Sequence, residues 1–177
     1  VMLSWKFALR NALARLGASE LLTYSFVHSD LLAKAGLNTE HVYHVRNAIS
    51  PDLQYYRLTL MPSLLDKVRL NIKSDRITDG RNEFALFEIN KVHIRGVQDE
   101  IELKVPAEHE HMALVFSADE KTAAHSYDGA AYYQASEYLK SLCGLVGVRY
   151  ELIPVDPALG PDPVLAPFDL NRTASVV

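Results

Sequence analysis

The sequence predicts an α+β fold in which a largely antiparallel sheet is flanked by helices. The chain has 177 residues, of which 49% are hydrophobic, enough for one domain with a sizeable core. Apolar patterns typical of helices and of strands both occur. They mix without the regular strand–helix–strand rhythm of a parallel sheet. We therefore expect a single domain over residues 1–177.

The first half of the chain is predicted to contain three helices. Apolar residues at three- and four-residue steps predict a helix from Met2 to Leu16, which Gly17 ends. Pro62 suits the first turn of a later helix, because its missing N–H costs no hydrogen bond there. That helix carries the apolar stripe Leu64, Leu65, Val68 and Ile72. The other predicted elements are a strand-prone run at Glu20–Val27, a short helix Asp30–Ala35 with Ser29 as its N-cap and Gly36 as its end, a strand at His41–Arg46, and a turn at Ser50-Pro51-Asp52.

The second half contains the strongest strand prediction, Phe84–Ile94. Apolar side chains alternate onto both of its faces, so we expect a central strand that is covered on both sides. The charged run Gly96–His109 predicts an excursion or hairpin. The remaining predictions are a loop at Ser74–Glu83, a strand at Met112–Phe116, a helix from Ala130 to Val146 that Gly147 ends, a strand at Val148–Val155, and a proline-rich rigid loop at Asp156–Pro167.

Composition and charge exclude several functional classes. The formal net charge of −4 argues against general attraction to phosphate backbones, although a local basic patch stays open. The one cysteine, Cys143, cannot form an internal disulfide and suits a reducing cytoplasm. Its position on an apolar helix face indicates a core residue rather than a nucleophile. No apolar run approaches the roughly 18 residues of a membrane helix. The chain starts at Val1, so we expect a piece of a longer protein.

Two groups of residues could carry chemistry, and each has a structural alternative. Glu88 interrupts the apolar central strand, and a buried carboxylate needs a partner, for which Arg57 is the first candidate. A buried pair that fixes the sheet to a helix is more plausible than general-base work. His109 and His111 share one strand face and could reach one metal ion. No third or fourth ligand follows at a recognised spacing, so a solvated strand start is favoured and no metal site is predicted.

A row of cations follows Pro62 along the same helix. Arg69, Lys73 and Arg76 fall on one side of it and could contact nucleic-acid phosphates or an acidic protein surface. Such a row is more often a solvated face.

An ordered series of motifs resembles the beta subunit of bacterial-type phenylalanyl-tRNA synthetase. Residues 47–71, NAISPDLQYYRLTLMPSLLDKVRLN, are similar to the family's N-P-x-S-x-E-x-x-x-L-R-x-S-L-L-P-x-L-L block. Residues 84–92, FALFEINKV, are similar to its L-F-E-x-G-x-V strand. The positions that match and are expected to be structural are Asn47, Ser50, Pro51, Arg57, Pro62, Leu64, Leu65, Asn71, Phe87 and Glu88.

The resemblance also covers both ends of the chain, with departures. LRNALARLGASELLTYSFV at 9–27 is similar to the family's opening helix and strand, and PFDLNRTASV at 167–176 to its F-H-P-G-R-S-A segment. Ala48 replaces a proline, Asn90 replaces a glycine, and Asp169 and Asn171 replace a histidine and a glycine. The family pattern continues past this point, so we expect a truncation at the C-terminus.

The resemblance implies a class II synthetase-like fold without catalysis. The family's active site lies on the alpha subunit, and the arginines that hold ATP are not visible here. His93 follows Val92 where catalytic members place arginine. The implied role is a non-catalytic core that supports assembly with the alpha subunit in a tetramer of two alpha and two beta chains. That cytoplasmic holoenzyme charges tRNA(Phe) with ATP and Mg²⁺. No catalytic residue, cofactor or metal is expected in this domain, and no membrane partner.

Two other functions stay open. An active class II ligase domain whose last motif is missing would need an arginine that serves the triphosphate, either Arg57 or Arg95. A tRNA-binding module would use the row from Arg69 to Arg76.

Overall fold

A computed structural model describes residues 2–73, 83–102, 105–118, 130–159 and 162–177. Within these ranges the chain is an α+β protein with both parallel and antiparallel strand pairs. No helix in these ranges is both long and apolar enough to cross a membrane. The elements are α1 Met2–Arg15, β1 Ser19–Glu20, β2 Phe26–Val27, α2 Ser29–Lys34, β3 Tyr55–Tyr56, α3 Met61–Ile72, β4 Glu83–Val92, β5 His109–Ala118, α4 Ala130–Val146, β6 Leu152–Pro154 and β7 Ala174–Val176.

The chain groups into two compact units, each built from three chain segments. The first unit comprises Val1–Leu22, Leu64–Ile89 and Ala113–Arg149. The second unit comprises Thr23–Ser63, Asn90–Met112 and Tyr150–Val177. The expectation of one domain over 1–177 stays a prediction.

Helix α1 ends as the sequence predicts, at Gly17. This glycine has a φ of 90°, which residues with a Cβ rarely adopt. The Ala18 amide donates to the Leu13 carbonyl and the Gly17 amide donates to the Ala14 carbonyl, both at 3.0 Å. These two bonds form a Schellman motif, which satisfies the last carbonyls of the helix. Leu13 and Ala18 then enter the core of the first unit together.

The first unit is centred on β4, which lies between β1 and β5 in a three-stranded sheet. The predicted central strand is therefore confirmed, and its residues 85–89 are all buried. Strand β1 runs parallel to β4, with Ser19 opposite Leu86. The core combines α1, β4 and α4, through side chains such as Leu13, Phe87 and Leu142. The predicted α4 has the predicted bounds, Ala130–Val146.

The largely antiparallel sheet stays a prediction, because the described pairs are mixed. The β1–β4 pair is parallel, whereas the β2–β3 and β6–β7 pairs are antiparallel. A parallel neighbour suits β4, since strands with two covered faces are common in such an arrangement.

The second unit packs α2 against a short β-ribbon. Its core contains Val27, Leu32, Val42 and Leu58, with the partly buried Val164 against them. The predicted N-cap of α2 is wrong by one residue. His28, not Ser29, is the cap, and its Nδ1 accepts a 3.0 Å hydrogen bond from the Asp30 amide. An imidazole nitrogen can thus replace the usual hydroxyl or carboxylate oxygen.

Three strand predictions need correction. The run Glu20–Val27 forms two short strands, β1 and β2, which belong to different sheets. The run His41–Arg46 forms a bridge only at His44, opposite Tyr55, and its first residue closes the 3₁₀ helix Thr39–His41. The strand predicted at Val148–Val155 is confined to Leu152–Pro154. In each case an apolar or β-branched run exists, but a backbone partner pairs with only part of it.

Helix α3 and its surroundings are partly as predicted. Pro62 lies in its first turn, and Ser50 Oγ accepts from the Asp52 amide at 3.2 Å in the predicted turn. Within the predicted apolar stripe, Leu64 is fully buried whereas Leu65 and Ile72 are exposed. The predicted loop Ser74–Glu83 lies outside the described residues except for Glu83, which begins β4.

Candidate functional site

Arg57 is the most deeply buried cation described, with 1% of its surface exposed. It directly follows β3 and lies in the second unit. Its Nη1 donates to the Thr23 hydroxyl at 2.7 Å, and its Nε donates to the Lys91 carbonyl at 3.2 Å. A planar guanidinium with fixed donors is suited to joining separate backbone segments in this way.

The Arg57 backbone connects the same segments a second time. Its amide donates to the Ser25 carbonyl at 3.0 Å, and its carbonyl accepts from the His93 amide at 3.1 Å. Side chain and main chain together tie β3 to the segment before β2 and to the end of β4. The arrangement holds the second unit together and leaves the guanidinium facing protein rather than solvent.

Arg95 is the other arginine that a triphosphate site could use. Its Nη1 donates a 2.6 Å hydrogen bond to the Glu40 carbonyl. The neighbouring Gly96 amide donates to the Tyr43 hydroxyl at 3.0 Å. Both contacts attach the segment after β4 to the segment after α2. Both candidate arginines are therefore engaged by the protein's own oxygen atoms.

His93 occupies the position after β4 and is 8% exposed. Its ring lies edge-on to Tyr56, with centroids 4.4 Å apart, and Tyr56 in turn contacts Phe26 at 4.7 Å. Burial lowers the pKa of His93 below its ordinary 6.5, although the nearby Glu108 carboxylate and Ala107 carbonyl favour the protonated ring. Its Nδ1 has no hydrogen-bond partner among the described residues. A neutral, buried imidazole cannot offer positive charge to a phosphate.

Lys91 and Glu108 form an ion pair beside this imidazole. The hydrogen bond between them raises the pKa of Lys91 and lowers the pKa of Glu108. About half of each side chain is exposed, so solvent screens the pair and its contribution to stability is small. The pair contributes local charge balance.

His109 and His111 lie on one face of β5, as their spacing predicts. Burial lowers the pKa of His111, and the proximity of His109 adds to the shift. Among the described residues, no group of three or more histidine, cysteine, aspartate or glutamate side chains could hold a metal ion.

Glu88 is fully buried in β4, as predicted. Its predicted pairing with Arg57 stays a prediction. Of the other predicted structural positions, Pro62, Leu64 and Phe87 are buried, whereas Leu65 is exposed. Asn71 donates from Nδ2 to the Lys67 carbonyl at 2.8 Å, one turn earlier in α3. Asn47 and Pro51 are exposed beside the half-buried Ser50 in the predicted turn.

The predicted cation row is only partly described. Arg69 is exposed on α3, Lys73 is exposed directly after its last residue, and Arg76 lies outside the described residues. Arg69 and Lys73 are four residues apart, so they share one side of the helix. Leu65, Leu70 and Ile72 are also exposed on this helix, as is the ion pair between Asp66 and Lys67.

A groove of about 270 Å³ lies elsewhere in the second unit. It runs from the end of α2 to the segment 162–170, and Leu37, Pro163 and Phe168 are among its lining residues. Two of its polar side chains are already engaged: Asn38 accepts from the Glu40 amide and Asp162 from the Val164 amide. The groove is small and mostly apolar, and it contains none of the predicted site residues.

Three contacts were not predicted from the sequence. Thr23 accepts from Arg57, Tyr56 packs against His93, and the Tyr138 hydroxyl donates to the Leu16 carbonyl at 2.8 Å. Each joins residues far apart in the chain, and no local pattern marks such pairs.

Comparison with known families gives one match that covers nearly the whole chain. Residues 4–175 match the family described as phenylalanyl tRNA synthetase beta chain CLM domain. Among curated proteins, the phenylalanine–tRNA ligase beta subunit of Syntrophus aciditrophicus is 29% identical over 151 residues, which are 80% of this chain and 18% of that protein. The beta subunit of Geobacter metallireducens is 31% identical over 113 residues, or 62% of this chain and 13% of that protein. The chain thus spans less than a fifth of the length of these relatives.

Solved structures are similar in fold. Two structures of a pyrrolysyl-tRNA synthetase from Desulfitobacterium hafniense superpose with a TM-score of 0.60 and 18% identity. The superposition covers 86% of this chain and 48% or 50% of those chains. The fold of this chain is therefore that of a tRNA synthetase, as the sequence motifs imply.

Proposed function

The chain belongs to the phenylalanyl-tRNA synthetase beta chain family through its CLM domain, and from that premise we propose that it is a non-catalytic core that supports assembly with the catalytic alpha subunit. The complete holoenzyme would charge tRNA(Phe) in the cytoplasm at the expense of ATP. Within it, this domain contributes a folded surface and no reacting group.

One observation carries the non-catalytic part of the proposal. The arginines that a triphosphate site would need are held by the protein itself, Arg57 by Thr23 and Lys91 and Arg95 by the Glu40 carbonyl. Catalysis of adenylate formation depends on cations that are preorganised around the phosphates. His93 adds no charge there, because burial favours its neutral form.

ATP does not fit the contacts that Arg57 makes. A guanidinium with 1% exposure cannot turn toward a nucleotide without breaking two hydrogen bonds inside the second unit.

The assembly part of the proposal rests on exposed apolar side chains in the first unit. On α1, Trp5 and Phe7 are 48% and 67% exposed. Large aromatic side chains are frequent anchors of protein interfaces and uncommon on a solvated helix. Such a surface is expected of a subunit that functions inside a larger complex.

A calorimetric titration tests the non-catalytic assignment. We expect the beta chain alone to bind neither ATP nor phenylalanine, whereas the complex with the alpha subunit binds both. Heat of ATP binding to the beta chain alone would contradict the proposal.

The variant Arg95→Ala separates the proposal from the active-ligase alternative. If Arg95 served the triphosphate, ATP–pyrophosphate exchange by the complex would fall by orders of magnitude. We expect the exchange rate of Arg95→Ala to equal that of Lys140→Ala, a matched control whose exposed ammonium contacts only Glu137 among the described residues. A loss of exchange in Arg95→Ala but not in Lys140→Ala would favour the active-ligase alternative.

A further inference from the structure

Helix α3 has an apolar side on the surface in addition to its buried side. Leu64 is fully buried in the first unit, whereas Leu65, Leu70 and Ile72 are 41%, 59% and 57% exposed. Leu65 and Ile72 are seven residues apart and therefore lie along one line of the helix. A helix that faces only solvent carries polar residues on that side.

Two cations lie among these exposed aliphatic side chains. Arg69 lies between Leu65 and Ile72 on the same line, and Lys73 lies one turn after Arg69. In the part of the chain that the structure describes, no carboxylate forms an ion pair with either of them. The nearby Asp66 carboxylate is engaged by Lys67 at 2.8 Å. The surface made by Leu65, Arg69, Ile72 and Lys73, here called the α3 face, thus combines positive charge with apolar area.

This combination discriminates between two kinds of partner. A nucleic-acid backbone satisfies the two cations but offers no aliphatic surface to cover the exposed Leu65 and Ile72. A protein surface that carries carboxylates around an apolar patch satisfies both parts of the α3 face. The overall charge of −4 also disfavours a general nucleic-acid contact.

We propose that the α3 face docks onto an acidic, partly apolar surface of the alpha subunit. The inference rests on the proposed function and adds a second surface for the assembly, besides the exposed Trp5 and Phe7 of α1. In the complex, Leu65 and Ile72 are covered by aliphatic side chains of the alpha subunit, and Arg69 and Lys73 face its carboxylates.

The experiment uses the beta chain and the alpha subunit together, with the dissociation constant measured by calorimetry. The apolar variant is Leu65→Ser with Ile72→Ser, and the charge variant is Arg69→Glu with Lys73→Glu. We expect each to weaken the complex at least tenfold, and the deficit of the charge variant to shrink as salt is raised. Matched controls are Ile101→Ser, which removes an aliphatic side chain that is 92% exposed, and Lys140→Glu, which reverses an exposed charge on α4. Both should bind as the wild type does.

Thermal melting of each variant separates loss of docking from loss of folding. All four substituted side chains are exposed, so the charge variant should melt as the wild type does even if the apolar variant does not. Variants that assemble with unchanged affinity, while the wild type assembles, overturn the inference and leave the proposed function intact. A charge variant that keeps its affinity for the alpha subunit but loses salt-dependent binding of tRNA identifies RNA as the occupant and also overturns it. A wild-type chain that does not assemble removes the proposed function and the inference together.

Discussion

The buried guanidinium of Arg57 donates a 2.7 Å hydrogen bond to the hydroxyl of Thr23. The same guanidinium also donates to the Lys91 carbonyl, so its removal leaves two acceptors inside the second unit without their donor. Each unsatisfied buried group costs about 1–3 kcal/mol. We therefore expect Arg57→Met to lower the free energy of unfolding by about 3 kcal/mol, as measured by urea denaturation.

Arg95→Met is the control for this loss. It removes one hydrogen bond to the Glu40 carbonyl from an exposed side chain, so its cost should stay below about 1 kcal/mol. Equal midpoints for Arg57→Met and the wild type would show that the Arg57 contacts contribute no net stability.

The predicted pairing of Glu88 with Arg57 can be tested by a double-mutant cycle. The variants are Arg57→Met, Glu88→Gln and the double variant. Glu88→Gln removes the negative charge of Glu88 and keeps the shape of its side chain. Direct contact should give a coupling free energy of about 1 kcal/mol or more, because a single substitution already breaks the pair. Additive effects within about 0.5 kcal/mol would exclude the pairing.

The lowered pKa of His93 predicts a pH dependence of stability. Between the ordinary pKa of 6.5 and the lower value in the folded state, the unfolded chain binds a proton that the folded chain excludes. The free energy of unfolding should therefore fall as the pH drops below about 6.5. The pKa of His111 is also lowered, so His111 adds to the dependence of the unfolding free energy on pH. The pKa of Glu108 is lowered below 4.5, so the stability that its carboxylate contributes is lost only at still lower pH.

His93→Phe should reduce this slope, because it removes the titrating ring nitrogen while keeping an aromatic edge against Tyr56. The measurement is a series of urea denaturation curves from pH 7.5 to pH 5. An unchanged slope in His93→Phe would mean that His93 does not titrate differently in the two states.

Two glycine-to-alanine substitutions should act in opposite directions. Gly17 has a φ of 90°, so Gly17→Ala should cost about 1–2 kcal/mol. Gly144 is inside α4, and a Cβ there would meet nothing within 4 Å. Gly144→Ala should stabilise the protein by about 0.5–1 kcal/mol. The melting temperatures of the two variants are compared with that of the wild type. Equal shifts of the same sign would contradict the predicted helix end at Gly17.

The helices and the central strand could be predicted because their signals are local. Gly17 and Gly147 mark helix ends by their position after an apolar periodicity, and the alternation along β4 marks a strand with two covered faces. Family motifs then added the fold and the implied role of the chain. The burial of Arg57 and Glu88 also followed from the sequence, because a charged residue within an apolar run or motif needs a specific environment.

The short strands and the partners of Arg57 could not be predicted in the same way. Whether Glu20–Val27 becomes one strand or two depends on which distant backbone pairs with each part. Thr23 and Arg57 are 34 residues apart, so their hydrogen bond leaves no local pattern. The exposed Leu65 and Ile72 show a further limit: periodicity identifies apolar sides of a helix, but it does not state whether the same chain covers them.

The three-segment construction of each unit has a consequence for synthesis on the ribosome. The core of the first unit joins Leu13 to Leu142, and that of the second joins Val27 to Val164. Neither core can form until the last of its three segments has emerged from the exit tunnel. Contacts of such large sequence separation slow folding and leave early apolar stretches uncovered meanwhile. A ribosome that stalls before residue 130 would therefore present α1 to chaperones as an unprotected nascent helix.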